Sequence, residues 1–169
     1  MHAAIYARSK SALLALLAAA LLTGCGFQLR GQSALPFSSL YVQTSGPSSF
    51  RNDLMRAVRA GSQTRITDDH KQSQVTLQIL TEARERTILS LSGGGRVREI
   101  TLRYRLGYRL YDQGKEYIPP SEILLRRDLS YNDTDVIAKE QEEALLFRDM
   151  QNDAVQQLMH RLQATHLSS

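Results

Sequence analysis

The only cysteine of the chain, Cys25, lies in the stretch LLTGCGFQLRG at residues 21–31. A single cysteine has no partner for an internal disulfide, so its chemistry must be of another kind. Arg8 and Lys10 precede it, and an almost wholly Ala and Leu run at residues 11–22 follows them. This run is shorter than the roughly 20 residues of a transmembrane helix and is typical of a secretory signal. The sequence therefore predicts a signal peptide over residues 1–24.

The residues around the cleavage point indicate what Cys25 does. Leu22-Thr23-Gly24-Cys25 resembles the lipobox of bacterial lipoproteins, in which cleavage leaves an N-terminal cysteine that carries N-acyl and S-diacylglycerol lipid. Each buried CH₂ of such chains contributes about 0.8 kcal/mol, and several chains together hold a protein durably at a membrane. Gly26 stands where an Asp would favour the inner membrane, so the pattern predicts an outer-membrane lipoprotein. The alternative is an ordinary signal peptide with a cysteine nearby by chance.

The remaining residues that could do chemistry show no catalytic spacing. His70, His160 and His166 of the mature chain belong to no HExxH motif, and the sequence contains no GxSxG motif. The glycines at 93–95 and 107–114 match neither a dinucleotide fingerprint nor a P-loop, so the first group is interpreted as a flexible hairpin turn. A hydrolase would need a nucleophile and a base that the sequence does not show. We predict no enzyme, no metal and no cofactor beyond the lipid on Cys25.

Length and charge limit the remaining classes of protein. Removal of residues 1–24 from the 169-residue chain leaves 145 residues, which is the size of one domain. The loss of Arg8 and Lys10 lowers the formal net charge from +4 to +2, and no nucleic-acid-binding motif is present. The sequence therefore predicts a lipidated tether at residues 25–37, a single domain at residues 38–169, and no nucleic-acid partner.

The clearest structural pattern is ITLRYRLGYRLY at residues 100–111. Apolar and aromatic side chains alternate with polar ones at a period of two, which predicts a long strand with one buried and one polar face. The polar face carries Arg103, Arg105 and Arg109. These arginines are either the lining of a contact surface or an ordinary solvated sheet face.

The other elements follow from shorter patterns. In chain order they are a strand at 39–43, a helix after Ser48 or Ser49 that ends with Gly61 as a left-handed residue, strands at 75–92 and 117–131, and a helix at 136–163. Pro119 and Pro120 cannot donate ladder hydrogen bonds, so they predict an edge or a bulge. The order β-α-β-β-β-α predicts an α+β fold, with two helices on one face of a mostly antiparallel or mixed sheet of about four strands.

The combined features resemble one known family. GCGFQLRG at residues 24–31, the element order, the Arg- and Gly-bearing turn before a long strand, and IAKEQEE at residues 137–143 are together similar to the LptE family of lipopolysaccharide-assembly lipoproteins. The resemblance covers essentially the whole mature chain. It implies a non-enzymatic partner of the β-barrel LptD that plugs the barrel and helps lipopolysaccharide reach the cell surface. Arg103, Arg105 and Arg109 are then candidates for the barrel-facing surface.

The resemblance also suggests residues that bind lipopolysaccharide. Lys139 occupies the position in IAKEQEE where the family carries a lysine implicated in this binding. The family's second basic residue lies in a turn between two long strands, where this chain has Gly93, so Arg96 and Arg98 are the candidates here. Two alternatives stay open: Lys139 as a surface lysine paired with Glu142 or Glu143, and an outer-membrane accessory lipoprotein that does not bind lipopolysaccharide.

Overall fold

The computed structural model describes residues 34–130 and 136–167. The elements are β1 (Ser39–Gln43), α1 (Ser49–Gly61), β2 (Arg65–Thr67), a short 3-10 turn (His70–Gln72), β3 (Val75–Leu91), β4 (Val97–Tyr111), β5 (Glu116–Ser130) and α2 (Val136–Gln163). The predicted signal peptide and Cys25 lie outside the described residues. No helix in the described part of the chain is long and apolar enough to span a membrane.

Five strands form one mixed sheet in the order β2-β1-β3-β4-β5. Strand β1 is parallel to both β2 and β3, whereas β3, β4 and β5 form an antiparallel meander. The predicted α+β fold with two helices is therefore confirmed. The fifth strand, β2, was not predicted, because three residues are too few to show a period-two pattern.

Strand β4 supplies the centre of the core. Its alternate residues Ile100, Leu102, Tyr104, Leu106, Tyr108 and Leu110 are all fully buried. This is the face that the period-two pattern predicted to be buried, and α2 packs against β4 and β5. The intervening arginines consequently lie on the other face of the sheet.

Helix α1 begins where the sequence predicts and ends differently. The Ser48 side chain caps the N-terminus by accepting from the backbone N–H of Arg51 at 3.0 Å. The prediction of a left-handed Gly61 is wrong: Gly61 is the last helical residue, and extended Ser62 donates its N–H to the Val58 carbonyl at 3.0 Å. An extended cap residue satisfies this carbonyl as well as a left-handed one, so glycine is not required there.

Helix α2 matches its predicted bounds and lies over the meander. The residues that step by three or four along it, Phe147, Met150, Ala154, Leu158 and Leu162, are buried. Two ion pairs join its exposed flanks to the strands beside β4: Arg86 of β3 to Glu143 at 3.3 Å, and Arg127 of β5 to Asp153 at 2.8 Å. These pairs fix the helix across the sheet from both sides.

Two irregularities shape the strands. The register of β3 against β4 shifts between Ile79 and Thr81, and a Cβ placed on Gly107, opposite Thr81, would lie 3.3 Å from the Thr81 Cβ. The register of β5 shifts across Pro119 and Pro120, and β5 is the last strand of the sheet. The prolines therefore lie in an irregular segment of an edge strand, as their chemistry predicts.

The first described residues belong to the folded unit. Leu35 and Phe37 are buried with the core, although they fall in the segment predicted as a tether. The Thr64 hydroxyl donates to the Phe37 carbonyl at 2.9 Å, which fastens this segment near the end of α1.

Candidate functional site

The polar face that the sequence predicted for β4 is present. We define the outer face of the sheet by Arg103, Arg105 and Arg109 of β4 and their neighbours on β3 and β5. Arg105 lies 3.5 Å from Glu85 of β3 and 3.8 Å from Glu122 of β5. Its guanidinium thus bridges both neighbouring strands. Its Nε atom is buried and has no hydrogen-bond partner among the described residues.

Arg109 is also held in place on the outer face. Its Nε donates to the Gln78 side chain at 2.7 Å, and its guanidinium lies 3.9 Å from Glu116 and 4.7 Å from the ring centre of Tyr111. The stacking and the hydrogen bond orient the guanidinium plane. The side chain therefore presents a fixed charge that still has more than a third of its surface exposed.

A third cluster on the outer face surrounds Asp128. The Thr101 hydroxyl donates to the Asp128 carboxylate at 2.7 Å, and the Arg126 guanidinium lies 3.1 Å from it. The hydrogen bond from Thr101, followed by that from Arg126, holds the pKa of Asp128 below its ordinary value, and the charge of Arg103 adds to this effect. Carboxylates of β3 and β5 thus lie among the arginines of the outer face, an arrangement that reasoning from β4 alone missed because these carboxylates lie on the neighbouring strands.

Lys139 lies on α2, on the opposite side of the sheet from the outer face. Its Nζ donates to Glu142 at 2.8 Å, and only 22% of its side chain is exposed. The surface pairing considered from the sequence is therefore present. Such a pair contributes about 0.2–0.5 kcal/mol, which an incoming anion can readily outweigh.

Arg96 and Arg98 lie at the end of the β3–β4 hairpin. The turn closes through the Ser92 N–H, which donates to the Arg96 carbonyl at 2.7 Å, and the Gly95 N–H, which donates to the Ser92 carbonyl at 2.9 Å. Gly95 has a φ of +76°, so this position favours glycine. Both arginine side chains are exposed. The structure therefore separates the predicted residues into the outer face, the hairpin end and α2.

A cleft of about 580 Å³ that the sequence did not reveal lies between β3 and α2. It is lined by Arg84 and Arg86 of β3 and by Glu140, Glu143, Phe147 and Arg148 of α2. The Arg84 guanidinium lies 5.8 Å from the ring centre of Phe147 and donates to Gln151 at 2.7 Å. These residues are distant in the sequence, and no local spacing identifies the cleft.

A polar network lies beneath the first turn of α1 and includes Glu82, which precedes Arg84 of the cleft by two residues on β3. Half-buried Glu82 accepts from the Ser48 hydroxyl at 2.6 Å and from the Tyr104 hydroxyl at 3.1 Å. Burial, together with the negative charge of Glu82, raises the pKa of Tyr104 above its ordinary value. The network fixes the start of α1 beside Glu82, and the part of β3 beyond it, from Arg84 onward, lies beside α2.

The described residues contain no group of three or more His, Cys, Asp or Glu side chains arranged to hold a metal ion.

Comparison with known proteins decides the family. A family model described as "LptE: Lipopolysaccharide-assembly" matches residues 37–162. The chain belongs to the LptE family. It is therefore a non-enzymatic lipoprotein of lipopolysaccharide assembly at the outer membrane, which confirms the predicted role in lipopolysaccharide assembly and the predicted non-enzymatic class.

Curated relatives and solved structures agree with the LptE assignment. The LPS-assembly lipoprotein LptE of Pectobacterium atrosepticum is 28% identical over 152 residues, which are 86% of this chain and 80% of that protein. The solution NMR structure of uncharacterized lipoprotein B from Nitrosomonas europaea has a TM-score of 0.72 and 38% identity, and the match covers 82% of this chain and 91% of that chain. The crystal structure of the rare lipoprotein B from Shewanella oneidensis has a TM-score of 0.64 and 26% identity, covering 73% and 92%.

Proposed function

We propose that this LptE-family lipoprotein is anchored in the outer membrane through lipid on Cys25, plugs the LptD β-barrel, and binds lipopolysaccharide through basic residues while the barrel delivers it to the surface. The observation that carries the proposal is the outer face of the sheet. Arg105 and Arg109 form ion pairs there with carboxylates of the neighbouring strands, whereas the alternate residues of β4 on the opposite face are apolar and buried.

A barrel plug needs such a surface. The interior of a transmembrane barrel is polar, so a protein inside it has to offer hydrogen-bonding groups without exposing its own core. Arg105 is held between Glu85 and Glu122, Arg109 is held by Gln78 and Glu116, and both keep part of their surface exposed. A preorganised charged face loses little side-chain entropy on docking, which favours a stable complex.

The barrel partner is tested by affinity purification of the lipidated protein from its native outer membrane, with the co-purifying proteins identified by mass. We expect a large barrel in roughly equimolar amount, and a loss of that barrel with Arg105→Glu. Arg59→Glu is the matched control, because Arg59 is exposed on α1 on the other side of the sheet. A membrane-bound protein that retains no barrel would contradict the plug and leave an accessory lipoprotein.

Lipopolysaccharide binding is argued from charge. Lipopolysaccharide carries phosphates and carboxylates, which arginine can bind with two parallel hydrogen bonds and lysine as a point charge. The candidates remain Lys139 on α2 and Arg96 and Arg98 at the hairpin end. The side chain of Arg98 forms no hydrogen bond or ion pair with any residue of the described ranges, so a ligand does not have to displace a partner there.

The binding test compares Lys139→Asp with Lys71→Asp, a change at an exposed lysine in the 3-10 turn. We expect the first variant to bind lipopolysaccharide several-fold more weakly at an unchanged melting temperature, and the control to bind as the parent does. An unchanged binding isotherm for Lys139→Asp would mean that Lys139 pairs with Glu142 and does not contact lipopolysaccharide. A parent protein that binds no lipopolysaccharide and retains no barrel would favour the accessory lipoprotein.

A further inference from the structure

An exposed apolar patch lies at the end of the β3–β4 hairpin, and neither the core nor the outer face accounts for it. Ile88, Leu89 and Leu91 have 54%, 52% and 56% of their surface exposed, and they lie within four positions of one another. Single exposed apolar residues are ordinary on protein surfaces, but a contiguous group at the tip of an element indicates a contact. We call this group the hairpin tip.

The geometry of the strands explains why the core does not cover these residues. Ile88 lies opposite Ile100 in the register, so both belong to the face that carries the helices. Ile100 is fully buried, whereas Ile88 is more than half exposed. The first turn of α1 is fixed beside Glu82, well before the hairpin tip. Helix α2 reaches β3 as far as Arg86, but no helix of the described ranges buries Ile88.

The register after Ile88 is irregular as well. It shifts between Ile88 and Ser90 and again between Ser90 and Leu91. Irregular pairing of this kind bends a strand and re-aims its side chains. The Ser90 hydroxyl donates to Glu99 at 3.0 Å, which holds the bend together. The bend leaves Leu89 and Leu91 in solvent rather than against the core.

Three arginines lie beside the hairpin tip, together with two carboxylates, Glu85 and Glu99, of which Glu99 accepts from the Ser90 hydroxyl. Arg86 precedes the tip on β3, and Arg96 and Arg98 follow it across the turn. Arg86 is paired with Glu143 of α2, and Glu85 is directed to the outer face, where it pairs with Arg105. The hairpin tip therefore combines apolar side chains with arginines on both strands. This combination is complementary to an amphiphile in which acyl chains adjoin anionic groups.

We propose that the hairpin tip contacts the acyl chains of lipopolysaccharide, while the neighbouring arginines meet its phosphates. This inference rests on the proposed function for the identity of the ligand and adds a second, apolar contact to it. Ile88, Leu89 and Leu91 supply the apolar contact, and Arg98 is the arginine nearest in the chain whose side chain lacks a partner among the described residues. The two contacts are chemically separable, because alkaline removal of the acyl chains leaves the phosphates in place.

The experiment measures the affinity of the lipidated full chain, in one fixed detergent, for intact lipopolysaccharide and for the same lipopolysaccharide after deacylation. The test variant is Leu89→Ser with Leu91→Ser, and Leu89→Ser alone is measured beside it. The matched control is Leu145→Ser, because Leu145 is a leucine of α2 with 49% of its surface exposed and belongs to neither the hairpin tip nor the outer face. Thermal melting of each variant verifies the fold.

We expect the double variant to bind intact lipopolysaccharide roughly tenfold or more weakly, which is the scale of an apolar side chain removed from a binding site. Its affinity for the deacylated ligand stays that of the parent, and Leu145→Ser changes neither affinity. Arg98→Ser lowers the affinity for both ligands. Unchanged binding of intact lipopolysaccharide by the double variant, or an equal loss for both ligands, would overturn the inference.

Two further outcomes separate this inference from its foundation. A parent protein that binds intact and deacylated lipopolysaccharide equally well overturns the acyl contact and leaves the proposed function standing. A parent protein that binds neither form overturns the proposed function itself. The last measurement uses phosphatidylglycerol vesicles. If the parent binds them as tightly as lipopolysaccharide, and the double variant binds them more weakly, the tip is a general membrane contact. That result would overturn its assignment to lipopolysaccharide.

Discussion

Removal of one hydroxyl tests the polar network that positions α1 against the sheet. The Tyr104 hydroxyl donates to the Glu82 carboxylate at 3.1 Å, and the Tyr104 side chain is fully buried. A hydrogen bond to a charged acceptor contributes about 1.5–3 kcal/mol. In Tyr104→Phe the ring still fills the core, and Glu82 keeps the hydrogen bond from Ser48, so we expect a loss of about 2 kcal/mol in the free energy of unfolding.

The assay is urea and thermal unfolding followed by circular dichroism. A loss of about 2 kcal/mol corresponds to a fall of roughly 4–8 °C in the melting temperature for a domain of this size. Tyr41→Phe is the matched control, because the Tyr41 hydroxyl makes no hydrogen bond with the described residues and its ring is half-buried. We expect the control to unfold at nearly the temperature of the parent.

The pH dependence gives the same prediction a second readout. Burial and the Glu82 charge raise the pKa of Tyr104 in the folded state, whereas the unfolded chain titrates near the ordinary value of about 10. A group whose pKa is higher in the folded than in the unfolded protein contributes its full stabilisation below the unfolded pKa. This contribution is lost as the pH rises from the unfolded pKa towards the folded pKa. The stability difference between the parent and Tyr104→Phe should therefore shrink above about pH 10. Equal midpoints at pH 7, or a difference that is constant up to pH 11, would refute the reasoning.

Three further predictions concern the strands and the core. Gly107→Ala should lower the free energy of unfolding in urea by about 1–3 kcal/mol, because the new Cβ would lie 3.3 Å from the Thr81 Cβ. An unchanged midpoint would show that the irregular segment at Thr81 moves to accommodate the Cβ. Asp128→Asn should make the free energy of unfolding fall less steeply on acidification. The lowered pKa of Asp128 stabilises the fold above its unfolded pKa of about 4, and this contribution disappears as the pH falls. Identical acid titrations of parent and variant would contradict this. Met150→Ala should lower the free energy of unfolding by about 2–5 kcal/mol, because Met150 is fully buried. Thermal unfolding measures this loss, and a loss below about 1 kcal/mol would mean that neighbouring side chains fill the cavity.

The long periodic elements could be predicted from the sequence. Twelve residues of strict alternation define β4, and helical spacing defines α2 from Val136 to Gln163. Both patterns reflect burial of one face, which is the strongest structural signal that a sequence carries. Strand β2 has three residues and owes its pairing to β1, which lies next to it only after the chain has folded.

The candidate site was predicted only in part. The arginines of the outer face followed from the alternation in β4, but their carboxylate partners come from β3 and β5 and depend on the strand register. The cleft of Arg84, Arg86 and Arg148 depends on where α2 lies over β3. The sequence predicts an ordinary strand at Leu89 and Leu91 and does not predict their exposure. The register shifts that expose them cannot be recognised from the hydrophobic pattern.

The irregular edge strand has a consequence for the protein before it meets any partner. An uncovered edge offers unpaired backbone groups to other chains and invites aggregation. In β5, Pro119 and Pro120 remove two backbone donors, and the charged residues Arg126 and Arg127 follow further along the same strand. Proline and charge both oppose the addition of a further strand. The protein therefore carries its own protection against edge-to-edge association.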